Sequence, residues 1–181
     1  MRNTYQIDAA HSSLQFSVRH LMVSNVRGTF SGVTGTVSYD PDKPGETMID
    51  ANIDVNSVNT NDEKRDGHLK GPDFFDVAQY PVMSFKSKKV EGAGPGAHKV
   101  TGDLTLHGVT KEVTLDVEDL SGESKDPWGN TKIGAVVKGK VKRSDFGLSW
   151  NAPLETGGVL VGDDVKLEFD LQFLKLQGAS A

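Results

Sequence analysis

Five histidines, His11, His20, His68, His98 and His107, are the first candidates for acid–base or metal chemistry. No two stand four apart, and no His-Glu-x-x-His occurs, so the helical zinc pair is absent. A ligand set gathered from distant strands stays open beside the simpler reading of scattered polar and turn histidines. The chain has no cysteine, which excludes disulfides, thiolate nucleophiles and thiolate zinc sites. Asp145-Phe146-Gly147 matches the kinase metal-binding tripeptide, but the Gly-rich phosphate loop, the His-Arg-Asp loop and the necessary length are all missing. A turn at the end of a strand accounts for it better. No Gly-x-Ser-x-Gly elbow or P-loop is present, so no motif supports hydrolase or nucleotide chemistry.

Two places keep chemical interest. His20 continues the apolar face of its segment, where a satisfied rim or core histidine competes with a ligand contact. The run Asp62-Glu63-Lys64-Arg65-Asp66-Gly67-His68-Leu69 puts Arg65, His68 and Leu69 on one helical face. Beside a cavity mouth these would offer a cation and a donor next to apolar surface. The competing reading is a solvated helix anchored by Leu69. Phe74, Phe75, Tyr80 and Phe85 follow closely and are core by default.

The elements that position these residues are strands. Leu14, Phe16, Val18 and His20 alternate with Ser13, Gln15, Ser17 and Arg19. The same period of two runs through Ile49–Val55, Val100–Leu106, Val113–Val117, Ile133–Val141 and Val165–Phe173. It marks antiparallel strands with one buried and one wet face. Gly28–Tyr39 and Val82–Val90 bring the total to about eight. Near Ser31-Gly32 the parity slips, which predicts a bulge. Asp40–Gly45, Gly92–Gly96 and Asp126–Gly129 read as turns, and Leu106-His107-Gly108-Val109 as a tight hairpin. The exception is Thr60 to about Lys70. Capping-box spacing of Thr60 and Glu63, with acids in the first turn, predicts a short helix, and Pro72-Asp73-Phe74-Phe75 a second turn.

Eight one-faced strands with one helical insertion close a barrel or pack as a sandwich, and closure removes the exposed edges. At this strand number the interior either just fills with side chains or holds one ligand. The small inward residues Gly102, Ala135 and Gly139 would leave room for a ligand. Bulk properties agree with a folded globular chain: 181 residues, 36% hydrophobic, 25% charged, with 20 glycines. A net charge of -5 argues against nucleic acid as a main partner. No apolar run of about 18 residues offers a membrane-spanning helix. The start, Met1-Arg2-Asn3-Thr4-Tyr5, lacks the apolar core of a signal peptide, so a cytoplasmic location is expected. The alternative is a periplasmic protein whose chain begins at a mature end.

Several stretches are similar to the YceI-like, or polyisoprenoid-binding, family. They are Tyr-Gln-Ile-Asp at 5–8, His-Ser-Ser-Leu-Gln-Phe-Ser-Val-Arg-His at 11–20 and Val-Arg-Gly-Thr-Phe at 26–30. Arg-Asp-Gly-His-Leu-Lys at 65–70 leads to Asp-Phe-Phe-Asp at 73–76 and Tyr-Pro-Val-Met-Ser-Phe at 80–85. Gly-Asp-Leu-Thr-Leu-His-Gly-Val-Thr-Lys at 102–111, Arg-Ser-Asp-Phe-Gly at 143–147 and Val-Gly-Asp-Asp-Val at 161–165 complete the set. The resemblance spans roughly residues 5–174 in order. It implies a single domain over 1–181, an all-β, extended eight-stranded antiparallel lipocalin-like β-barrel with a short helix over one end.

The resemblance also implies an apolar tunnel for an isoprenoid or similar lipid chain. Members are often exported to the periplasm, and the missing leader departs from that. Burying about 15 carbons would gain on the order of 12 kcal/mol gross, offset by ordering costs. The expected wall comprises Phe16, Val18, Phe30 and Ile53, then Leu69, Phe74, Phe75 and Phe85 around the helix. From the later strands come Leu104, Leu106, Leu115 and Val137, then Phe146, Trp150, Phe169 and Leu171. At the mouth, His20, Arg27, Arg65 and His68 are the expected donors to a polar head; the forked guanidinium suits phosphate or carboxylate. The expected role is non-catalytic binding, storage or transport, with a bound isoprenoid or fatty-acid-like lipid and no cofactor or metal. One alternative is an enzyme acting on a lipid- or quinone-like substrate, with His20 or His68 as acid or base. The other is a packed structural or stress-response barrel without ligand. The partner is then a hydrophobic small molecule, without nucleic acid or stable membrane insertion. Pairing through exposed strands would give a homodimer.

Overall fold

The chain spends its alternating segments on one closed antiparallel sheet. The structure, a computed structural model, describes residues 1–178. The strands are β1 (Asn3–Ile7), β2 (Ser13–His20), β3 (Ser24–Phe30), β4 (Val33–Tyr39), β5 (Met48–Asp54) and β6 (Val82–Gly94). They continue with β7 (Ala97–Leu106), β8 (Val109–Glu118), β9 (Ser124–Lys125), β10 (Thr131–Lys142) and β11 (Val161–Lys175). The order β11-β1-β4-β5-β6-β7-β8-β10, closed by the β10–β11 ladder, is an eight-stranded barrel. The period-two segments form its staves, and their apolar parity faces inward as expected.

One predicted strand, Gly28–Tyr39, is split in two, and β1 lies outside the predicted strands. β1 and β2 are one run interrupted by a single turn at Ala9–His11, after which the inward parity changes from Tyr5 and Ile7 to Leu14 and Phe16. β3 and β4 are split at Ser31-Gly32. The parity slip there is not a bulge within one ladder. It is the junction where the chain changes partner, from β2 before it to β1 and β5 after it. Ser57 fastens the junction, its Oγ accepting from the amides of Ser31 and Gly32 at 3.1 Å each. β11 is long enough to serve both halves, pairing with β1 through 173–175 and with β2 through 161–170.

The hairpin β2–β3 therefore projects past the end of β1 and β4. Its outer strand meets the rest of the wall through one bridge, Thr29 to Asn59. The helix α1 (Glu63–Lys70) and the turn after it stand beside that bridge, with Phe75 edge-on to Phe30 at 5.9 Å. The helical insertion thus fills a gap in the wall at the end where β5 stops and β6 begins. Its N-cap is Asp62, which accepts from the Arg65 amide at 3.0 Å. The capping box expected from Thr60 and Glu63 does not form, because the Thr60 hydroxyl donates to Asp66 instead. His107 and Gly108, both with positive φ, make the two-residue β7–β8 turn.

Candidate functional site

The inward side chains fall into two groups. Tyr5, Leu14, Phe16, Phe30, Phe146 and Phe173 are buried in a contiguous core, and at its edge all but Tyr5 border the lumen. Ile49, Ala51, Ile53, Val113, Leu115, Val117, Leu167, Phe169 and Leu171 have the same inward parity yet are only half-buried. Their remaining accessible surface faces a cavity of about 420 Å³ inside the barrel. A packed barrel would have buried them. The volume lies within the range of small-molecule sites, roughly 300–1,000 Å³.

The cavity follows the barrel. At one end it is lined by Arg19, His20, Leu160, Val161, Arg143, Trp150 and His68; at the other by Tyr39, Thr47, His98 and Leu120. A twelve-residue stave such as β10, tilted as barrel strands are, covers about 30 Å of axis. The wall between is aliphatic and aromatic. Among the described residues that line it there is no carboxylate, lysine or serine.

All the expected wall and mouth residues line this cavity except Arg27. Phe16, Val18 and His20 reach it from β2, Phe30 from β3 and Ile53 from β5. Arg65, His68 and Leu69 come from α1, with Phe74 and Phe75 from the turn after it. Phe85 belongs to β6, Leu104 and Leu106 to β7, Leu115 to β8 and Val137 to β10. Phe146 and Trp150 belong to the β10–β11 connection, and Phe169 and Leu171 to β11. Arg27 stands opposite Ser17 on the outward parity of β3 and is exposed. It is not a mouth donor: Val26, Gly28 and Phe30 take the inward positions.

The mouth donors are already partly engaged. Arg65 Nε donates to Thr60 Oγ1 at 2.8 Å and its Nη2 to the Thr60 carbonyl at 2.7 Å. His68 Nε2 lies 2.9 Å from Asp73 Oδ2, and its ring is edge-on to Trp150 at 4.9 Å and Phe74 at 5.0 Å. The Trp150 indole and Phe74 ring are themselves 5.4 Å apart. Helix and connection thus meet through an aromatic cluster at this end.

Arg143 was not anticipated at the site. It is 7% exposed and is held entirely by carbonyls. Nε donates to Gly162 at 2.8 Å, Nη1 to Leu148 at 2.6 Å and Trp150 at 2.9 Å, and Nη2 to Val161 at 3.2 Å. Burial pushes its pKa below the ordinary arginine range. Its parity continues Ile133, Ala135, Val137 and Val141, and His98 likewise continues Val100 and Leu104, so alternation carried to the strand ends would have found both. Arg19 has outward parity and lines the cavity only at the lip, next to the irregular start of β11. Asp145-Phe146-Gly147 is the turn that ends β10, with Gly147 in the left-handed region and the Phe146 side chain buried.

The family model for the YceI-like domain matches residues 5–173. The chain belongs to the YceI-like family. Among its relatives, UPF0312 protein SA2479 of Staphylococcus aureus (strain N315) is 41% identical over 170 residues, covering 93% of this chain and 96% of that one. Two solved structures share the fold of this YceI-like protein at useful identity. Burkholderia cenocepacia BcnA superposes with a TM-score of 0.80 at 26% identity, covering 92% of this chain and 98% of its own. The YceI protein of Campylobacter jejuni superposes with a TM-score of 0.73 at 35% identity, covering 88% and 90%. A polyisoprenoid-binding domain from Saccharophagus degradans has the same fold, with a TM-score of 0.66 at 23% identity over 95% and 98%.

Proposed function

We propose that this YceI-like protein binds a long-chain isoprenoid or similar amphiphilic lipid in the barrel lumen, as a non-catalytic store or carrier. The observation that carries this reading is the half-buried state of the inward apolar residues on β5, β8 and β11. Apolar surface is excluded from water most favourably when something apolar covers it, and an acyl or prenyl chain threading the lumen would do so. The wall supports binding over chemistry, since its polar groups stand at the two ends and the middle is hydrocarbon. The aromatic cluster of His68, Phe74 and Trp150 would flank the head of the ligand, with His20 nearby. The Saccharophagus degradans domain, polyisoprenoid-binding and of the same fold, supports the ligand class.

Native mass spectrometry of gently purified protein tests this, paired with organic extraction. A lipid of defined mass released on denaturation is expected, and delipidation should lower Tm. Protein that purifies empty and takes up neither a prenyl alcohol nor a fatty acid would sink the reading. Turnover of a bound lipid that vanishes in His20→Ala while binding survives would replace the carrier with an enzyme.

A further inference from the structure

Asp8 and Asp40 enclose the longest stretch of the chain without an acidic residue, Ala9 to Tyr39, although the whole carries 25 Asp and Glu. That stretch builds β2, β3 and β4. Its only Lys or Arg residues are Arg19 and Arg27, whose cross-strand partners are the neutral Asn25 and Ser17. The hairpin it forms is thus cationic in a protein of net charge -5.

The tip of the hairpin is apolar and exposed. Leu21, Met22 and Val23 are 43%, 52% and 72% exposed. The Val23 amide donates to the His20 carbonyl at 3.1 Å, which closes a tight turn around Leu21 and Met22. Both central residues have positive φ, 53° and 62°. Side chains of this size rarely adopt that conformation, and Asn-Gly is the usual pair in such a turn. Neither the backbone nor solvation explains Leu-Met here, and strain of this kind gathers at functional surfaces.

The tip is fastened to the rim of the cavity. The Leu21 amide donates to the Leu160 carbonyl at 2.9 Å, and both Leu160 and the preceding His20 line the lumen. The tip therefore stands directly beside the lip of the lumen, with Met22 lying against Gly158.

The geometry points to this hairpin as a docking element for an anionic lipid bilayer, with Leu21, Met22 and Val23 entering the interface and Arg19 and Arg27 meeting the head groups. This rests on the lumen reading for its purpose: cargo would pass between bilayer and tunnel without crossing water. Charge complementarity and adjacency to the lumen argue for the bilayer. A convex tip of three side chains is also too small for a stable protein interface, which buries about 1,200 Å² or more. Apolar side chains beside cations, by contrast, are what an anionic membrane surface accepts.

Co-sedimentation with two kinds of vesicle tests the proposal: phosphatidylcholine alone, and phosphatidylcholine mixed with phosphatidylglycerol. The protein should sediment with the mixed vesicles, much less with the neutral ones, and less again as salt screens the charge. Leu21→Asn/Met22→Gly should lower partitioning at least about tenfold, with Tm unchanged or raised because Asn-Gly suits the turn. Arg27→Gln should reduce the preference for the anionic vesicles. Equal sedimentation of wild type and tip variant overturns the proposal, as does a wild type that binds neither vesicle. A dimer that the tip variant dissociates also overturns it, by making the tip a contact between copies. Lipid extracted from the same preparations separates the two readings. Loaded protein that ignores vesicles overturns docking alone, and empty protein that binds them through the tip leaves docking standing while overturning the lumen reading.

Discussion

Phe16 and Gly28 stand directly opposite each other in the β2–β3 ladder, and the Phe16 ring fills the space a side chain at 28 would need. The same relation recurs elsewhere in the barrel. A Cβ on Gly102 would stand 2.6 Å from Phe85 Cζ, and one on Gly139 would stand 2.6 Å from Leu115 Cδ2. These inward glycines therefore do not leave the room for a ligand that their size suggests. Each makes room for a large neighbour to lie across it, and the lumen is what remains between those neighbours.

Gly28→Ala should accordingly drive the Phe16 ring off its place, against Phe30 at 5.3 Å or into the lumen. A destabilisation of about 1–3 kcal/mol is expected, as for other overpacked cores. Denaturant unfolding reads it directly. A variant as stable as wild type would show that the ring can move without cost.

Alternation exposed most of the barrel because each stave buries one face and wets the other. What it could not expose has local reasons. β1 presents only Tyr5 and Ile7 to the interior, too few for a period, and β9 has two residues. The junction at Ser31-Gly32 depends on Ser57, far along the chain, so parity shows a slip but not its cause. Arg27 is expected at the mouth for its guanidinium, whereas the parity of its strand puts it outside. The engagement of Arg65 by Thr60 and of His68 by Asp73 is tertiary detail that spacing alone does not carry.

Tyr5 gives a pH dependence. Its side chain is 1% exposed, and its hydroxyl donates to Glu123 Oε1 at 2.7 Å, which Lys175 Nζ also reaches at 2.7 Å. Burial, then this bond to a carboxylate, push the phenol up to about 12. A pKa raised on folding gives stability that is complete below the unfolded value, about 10, and is lost as pH rises towards about 12. Wild type should lose up to about 2 kcal/mol over that window relative to Tyr5→Phe. Parallel alkaline limbs in denaturant titrations of the two proteins would refute the assignment.

Arg143 ties the β10–β11 connection to the barrel through the carbonyls of Leu148, Trp150, Val161 and Gly162. Arg143→Met would strip four buried or half-buried acceptors of a charged donor. A loss of about 3 kcal/mol or more is expected, with faster proteolysis within residues 147–160. Arg143→Lys should recover only part of it, because an ammonium cannot span the four acceptors. Full recovery by lysine would mean that charge alone, and not the forked geometry, holds the connection.

Leu167 is half-buried on β11, faces the lumen, and has Phe16 and Gly139 as its register neighbours. Leu167→Trp should add its ring to empty space and not to packed core. Filling a cavity costs little strain and gains dispersion contacts, so Tm of the lipid-free variant should match or exceed that of the lipid-free wild type. The same ring would compete with a threaded chain, so lipid recovered per mole of protein should fall several-fold. Stability measured without lipid and occupancy measured with it thus move in opposite directions. A variant that is destabilised when empty would mean that the space beside Leu167 is too small for a chain, and the lumen would have to be occupied elsewhere along the barrel.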